Sequence, residues 1–362
     1  MAELVKLGVE VHVVLPPGGP LIPQYRAVGV VVHVFDLDFP ITQPWRIPQV
    51  LNGFRRLVTG ITPEILHSHF VGTTLSMRLA LGKNHPIPRV FQVPGPLHLE
   101  HAFFRQSELL TAGSKDYWIG SCRWTCERYQ KSGVPQDHIF LSYYGIDLQT
   151  FSAQKHPGKL RRELGVAAET QLVGMVAYMY APKRYLGQTR GLKGHEDFID
   201  ALAICRQHLP KIKGVFIGGA WNNAITYEQR VRTYAQKKLD NSAIFLGTRN
   251  DVAELYPDLN VVVHPSLSEN VGGAGESLLM AIPTIATNVG GLPDMVIPGK
   301  TGWLVPPRNP SRLAEAILQV LNDPVNAQKL AKAGQRWVSQ LMDVKTNARE
   351  IFEIYQKIFQ RV

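Results

Sequence analysis

Short apolar runs without polar alternation recur along this chain, each followed by a turn and then an amphipathic stretch. No other feature constrains the fold as much. A strand with helices over both faces needs no polar side, and such strands are normally parallel. Short β-branched runs, most of them unalternating, fall at 9–14, 30–35, 65–67, 89–93 and 117–119 in the first half, and at 172–176, 215–217, 243–245, 261–264, 284–286 and 303–305 in the second. Helical periodicity lies between them, for example at 195–207, 226–239, 275–281 and 310–322. Strands alternating with helices predict parallel α/β sheets joined by crossovers.

Two such series predict two doubly wound, Rossmann-like domains, 1–155 and 156–345. The polar segment 154–159 reads as their linker, and 343–359 as a closing helix. The opening is unusual. Residues 2–7 read as the end of a helix, followed by Gly8 and a strand, whereas a doubly wound domain begins with its central strand and a glycine-rich turn. The expectation is a first domain lacking its first strand, in a sequence that starts late. A preceding segment of about 25–40 residues would then be needed for solubility and activity.

Composition narrows the function classes. A chain of 362 residues, 45% apolar, has material for two cores and no sign of disorder or a collagen repeat. No apolar stretch approaches the ~20 residues of a membrane helix, and 1–8 is no secretory signal. Three cysteines, an odd count, point to a reducing compartment, so the expected location is the cytoplasm. The net charge of +10 favours phosphate-bearing partners and leaves room for peripheral contact with an anionic membrane at its inner face. Nucleic acid is not the expected partner, because there is no RNA-binding aromatic signature, zinc-finger spacing or long basic run.

The segment 265–287, PSLSENVGGAGESLLMAIPTIAT, is the most informative. A strand ends at His264. A loop then carries Glu269 and Glu276 around Gly272, Gly273 and Gly275, and a short helix follows. Glycines let backbone approach a ligand, and a helix N-terminus turns N–H groups toward an anion. Two carboxylates there could accept hydrogen bonds from sugar or ribose hydroxyls; a capped turn with two exposed glutamates fits the spacing equally well. A second segment, 179–199, sets Lys183, Arg184, Arg190 and Lys193 just past the end of a strand, where open α/β sheets bind ligands. Such a cluster suits a diphosphate.

Other patterns carry less. Gly299-Lys300-Thr301 lacks the first glycine of a phosphate-binding loop, since that position is Asp294. The pairs His67/His69 and His98/His101 have no third ligand, so no metal site is expected. Cys122 and Cys126 read as buried thiols, and Trp118, Trp124 and Tyr129 as core.

The run 269–286 followed by NVGGLPDMVIPGKTGWLVPP resembles the retaining glycosyltransferases of family 4, which have the GT-B architecture. ILHSHF at 65–70, FLSYYGIDLQTF at 140–151, VGMVAYM at 173–179 with GLKGHEDFIDAL, and AIFLGTRNDVAELY at 243–256 extend the resemblance over about residues 3–359. It implies two domains facing a cleft, with the acceptor on the first and the nucleotide-sugar donor on the second. Residues 346–362 would cross back onto the first domain. It also implies a UDP- or GDP-linked donor, no cofactor, no metal, a glycan or lipid-linked acceptor, and attack by the acceptor hydroxyl on the leaving group's face.

Roles follow by position from the same resemblance. Glu276 matches the glutamate that bonds the ribose, and Glu269 the one near the donor sugar. The backbone of Val271, Gly272, Gly273, Ala274 and Gly275 would face the donor, and Lys193 would neutralise the diphosphate. The chain also departs from the pattern. The family's glutamates are one residue further apart, which would put Ser268 under the first; Glu269 is preferred. The family arginine falls near Tyr178, so Arg184 or Arg190 must replace it, Arg184 being the first choice. The histidine of the first domain has its nearest counterpart in His98. Two alternatives remain at this stage: a non-catalytic GT-B scaffold or partner subunit, and a nucleotide-sugar epimerase of the same architecture.

Overall fold

The computed structural model describes residues 1–361 except 20, 39, 41, 147, 149, 152–156, 185 and 186. The chain forms two compact units, Met1–Gly145 with Val344–Val362, and Ile146–Asp343. The predicted linker 154–159 therefore does not mark the boundary. Its residues 154–156 lie outside the described ones, and Lys159 opens a helix, Lys159–Leu164, inside the second unit. The chain joins that unit at Ile146, whose N–H donates to the Met342 carbonyl at 2.9 Å beside a one-residue bridge to Asp343. Composition along the chain cannot register such a long-range pairing.

All strand pairs are parallel. In the first unit β1 (His12–Leu15) pairs with β2 (Val31–Val34). A separate sheet runs β3 (Leu66–Ser68), β4 (Arg89–Val93), β5 (Asp116–Gly120) and β6 (Ile139–Leu141) in sequence order. Strand β6 was not among the predicted strands. The two sheets share one cover. Val13 of β1 and Val30 just before β2, with Val90 and Ile119 from the second sheet, enter one cluster with Ile351, Ile354 and Ile358 of the C-terminal helix Val344–Phe359. No bond joins β1 to β3 among the described residues, so the unit is interrupted where a doubly wound order places its first strand.

A buried ionic network sits under β4 and β5. Arg78 donates to Asp116 at 2.9 Å and to Glu108 at 2.5 Å, Arg89 donates to Asp116 at 2.5 Å, and the Trp118 indole N–H donates to Glu108 at 3.0 Å. All four charged side chains are fully buried. Trp118 and Tyr129 belong to the adjoining core, as expected from sequence.

The second unit is one six-stranded sheet in the order β12-β11-β10-β7-β8-β9. Its strands are β7 (Leu172–Val176), β8 (Lys213–Ile217), β9 (Ala243–Gly247), β10 (Val261–His264), β11 (Thr284–Thr287) and β12 (Trp303–Val305). Along β7, Val173 and Met175 pack on the helices His195–His208 and Pro310–Asn322, while Leu172 packs on the opposite layer with Leu160 and Tyr256. Burial on both faces is why the run lacks alternation. Successive strands spread from β7 toward β9, and the chain then returns to place β10 on the other side of β7. Open α/β sheets bind ligands at such a reversal, outside the carboxyl ends of the strands.

Candidate active site

A cavity of about 270 Å³ lies at that reversal. Its walls come from the end of β7 (Val176, Ala177, Tyr178), the end of β8 (Ile217, Gly218), the loop after β9 (Thr248, Arg249) and the end of β10 (His264, Ser266). Lys193, Glu269, Gly273 and Glu276 complete it.

Two close backbone approaches shape this floor. Gly194 has φ +75°, and a Cβ there would run into the Pro265 carbonyl, so the loop bearing Lys193 can lie against the loop after β10 only with glycine at that position. Gly218 has φ +131°, and a Cβ would meet the Ala177 carbonyl, which lets the ends of β8 and β7 close up.

Lys193 and Glu269 form an ion pair across the cavity. Glu269 also accepts from the Ser266 hydroxyl at 3.1 Å and from the Asn270 N–H at 3.1 Å. Burial alone would push its carboxyl up, but the Lys193 ammonium and these hydrogen bonds outweigh it and hold the group below the usual carboxylate range. Glu276 differs. Burial pushes its carboxyl up to about 7, offset only in part by the Tyr256 hydroxyl, which donates to it at 3.4 Å. His264 bonds the Ser277 hydroxyl at 3.0 Å, and burial pushes its imidazole down to about 4, so it is neutral at physiological pH.

The residues singled out from sequence thus divide. Lys193, Glu269, Gly273 and Glu276 meet in one cavity; Ser268, the alternative to Glu269, is buried outside the lining. Gly273 lies in the first turn of the helix Gly272–Leu279 and is close enough that a Cβ would come 3.3 Å from the His264 ring. Val271, Ala274 and Gly275 are buried and do not line the cavity; Gly275 abuts Met342 and Ile146, and Gly272 is exposed. Arg190 is ion-paired with Asp197 and, at 2.9 Å, with Asp200, and does not line the cavity. Arg184 is exposed and does not line the cavity.

The arginine in the wall is Arg249, held by Glu163 and Asp251. Neither Arg249, two residues past β9, nor His264, the last residue of β10, was expected to line the site from sequence.

His98 lies in the first unit, on the short helix Leu97–Glu100 after β4. Its Nε2 is 3.2 Å from the Tyr129 hydroxyl, and burial pushes the imidazole down to about 4. His67 and His69 stack at 4.6 Å between ring centroids, and each bonds a tyrosine hydroxyl, Tyr355 at 2.6 Å and Tyr144 at 3.2 Å.

Comparison with known proteins decides the family. The profile of "Glycosyl transferases group 1" matches residues 184–337, and that of "Glycosyltransferase Family 4" matches residues 1–150. The chain belongs to the family 4-like GT-B glycosyltransferases. The first of these matches spans most of the second unit, including Lys193, Arg249, Glu269 and Glu276. A D-inositol 3-phosphate glycosyltransferase of Corynebacterium diphtheriae is 28% identical over 193 residues, covering 52% of this chain and 43% of the relative. The chain spans about half the length of the curated relatives it matches. Among solved structures, Anabaena Alr3699/HepE in complex with UDP and glucose superposes with a TM-score of 0.80 at 21% identity, covering 97% of this chain and 93% of that one. Sucrose-phosphate synthase of Thermosynechococcus elongatus gives 0.79 at 21%, covering 100% and 92%. At these identities the likeness is one of fold. Among the described residues no helix is long and apolar enough to cross a membrane.

Proposed function

We propose that this chain transfers a sugar from a nucleoside-diphosphate donor to a hydroxyl of a glycan or lipid-linked acceptor, with retention of configuration. The observation that carries the reading is the meeting of Lys193, Glu269 and Glu276 in the cavity at the sheet reversal of the second unit. That constellation answers the parts of a nucleotide sugar one by one, and one protein of the same fold, Anabaena Alr3699/HepE, is solved with UDP, with UDP and glucose, and with UDP-glucose.

Lys193 supplies positive charge for the diphosphate, which gains negative charge as the glycosidic bond breaks. Donors arranged in advance toward developing charge lower the barrier most. Arg249 adds a second cation in the wall, a role first assigned to Arg184. Glu276, once ionised, accepts hydrogen bonds from the ribose diol. Glu269 is kept ionised by Lys193, and its carboxylate faces the donor sugar where positive charge builds at the anomeric carbon. The acceptor hydroxyl attacks from the leaving-group face and passes its proton to the departing phosphate oxygen, so no protein nucleophile or resident cofactor is used. His98, neutral at physiological pH, orients substrate rather than acting as a cationic acid. A peripheral site at the inner face of an anionic membrane fits the basic charge of the chain.

The test is turnover. The protein is incubated with UDP-glucose or GDP-mannose and a panel of saccharide and polyprenyl-linked acceptors. Nucleoside diphosphate release is followed, and the anomeric proton of the product is read by NMR. An α-linked product from the α-linked donor is expected. A β-linked product refutes retention, and no release from any donor with any acceptor favours the scaffold alternative.

A further inference from the structure

Three aromatic rings stand at the lip of the cavity without serving the core. Tyr178 is 40% exposed and Trp221 46% exposed, although Met179 between the two tyrosines is fully buried. The Trp221 ring centroid lies 5.1 Å from that of Tyr178 and 5.4 Å from that of Tyr180, the latter pair stacked at 29°. Tyr178 and Tyr180 themselves line the cavity. The group is held from the backbone. Met179 N–H donates to the Gly219 carbonyl at 2.9 Å, and Trp221 N–H returns to the Met179 carbonyl at 3.1 Å, tying the loops after β7 and β8 together. Asn222 and Asn223 follow, both exposed and both left-handed at φ 49° and 65°. Two consecutive non-glycine residues in that region are uncommon, and such backbone gathers where a ligand is held.

Two exposed rings and a half-buried third in a fixed array, flanked by side-chain amides and continuous with a polar cavity, have the chemistry of a carbohydrate platform. The apolar C–H face of a pyranose lies on the rings while amides take its hydroxyls. The shelf also adjoins the charged end of the cavity, since the Lys193 ammonium sits 5.5 Å from the Tyr180 ring centroid.

We infer that Tyr178, Tyr180 and Trp221 form a subsite for a pyranose ring beside the diphosphate end of the cavity. This rests on the nucleotide-sugar reading for its neighbour, Lys193. The ring belongs either to the donor sugar or to the terminal sugar of the acceptor, and the two sources separate by experiment.

Trp221→Ala and Trp221→Phe are compared with the wild type in two arms. Calorimetry with UDP and with UDP-glucose reads the donor side, and a microarray of pyranose-terminated glycans, probed with and without UDP, reads the acceptor side. The subsite predicts that Trp221→Ala leaves UDP affinity unchanged and loses about ten-fold on one arm, with Trp221→Phe retaining most of the binding. Loss confined to UDP-glucose assigns the ring to the donor, and loss confined to the array assigns it to the acceptor. Equal weakening of UDP itself means that the shelf stacks a nucleobase, and no change on either arm means that it binds no ring; both overturn the inference. A wild type that fails to bind UDP refutes the donor reading instead, and the array without UDP still decides the shelf.

Discussion

Glu269 and Glu276 share a cavity yet sit in opposite electrostatic states, and that contrast gives the sharpest tests. Ribose hydroxyls donate to a carboxylate, so binding prefers Glu276 ionised, and its carboxyl is raised to about 7. Nucleotide affinity is expected to increase several-fold as pH rises from 6 to 8, and Glu276→Gln should flatten that profile in calorimetry. The stability sign runs the other way. A carboxyl raised in the folded state favours the fold when protonated, so its penalty is absent below the unfolded range and complete above about 7. Glu276→Gln should therefore raise stability at pH 8 by on the order of 2 kcal/mol, with little effect at pH 4, read from urea midpoints. Glu269→Gln is expected to lower kcat by more than it changes KM, because charge develops at the sugar only in the transition state. Equal, small effects from both glutamates would instead support a merely structural turn. Lys193 was singled out of its basic run only through the family resemblance, while Glu269 and Glu276 were legible because strand ends and glycine-bearing turns mark where a parallel sheet binds ligands. Arg249 and His264 were not, since nothing local distinguishes a wall residue from any other residue after a strand. Arg184 and Arg190, neither of which lines the cavity, show the converse: a basic run does not reveal which of its charges reach the site.

Among the elements, short β-branched runs found eleven of the twelve strands of the described residues, and the clearest of them, such as β4, β5, β10 and β11, are buried on both faces. They missed β6, and they could not show that the sheet of the first unit is interrupted between β1 and β3. A two-stranded sheet is marginal alone. Here β1 and β2 depend on the apolar cluster under the C-terminal helix, in which Ile358 is fully buried. Ile358→Ala is expected to cost about 2–4 kcal/mol, and β1 amides should lose more hydrogen-exchange protection than those of β9 in the second unit. The ionic network is the other element that pattern reading could not find, since its four charges come from scattered positions. Removing Asp116 leaves Arg78 and Arg89 buried without their shared partner. Asp116→Ala should cost about 3–5 kcal/mol, measured by denaturant unfolding.

For the chain as a unit of function, the two Rossmann-like units follow from the same logic that located the cavity, whereas the family rests on motif resemblance and the two profile matches. A first strand in the middle of a parallel sheet and a reversal beside it create a crevice at the strand ends. This sequence fills the crevice of its second unit with a lysine, two glutamates and a helix N-terminus. In the proposed function this crevice holds a nucleoside diphosphate through Lys193. That role is tested most directly by titrating UDP and GDP into the wild type and Lys193→Ala at pH 8 by calorimetry. One of the two nucleotides should bind the wild type, and the variant should lose about 1.5–3 kcal/mol of that affinity, the range of a charge-assisted hydrogen bond. Unchanged affinity in Lys193→Ala, or no binding of either nucleotide to the wild type, would contradict it.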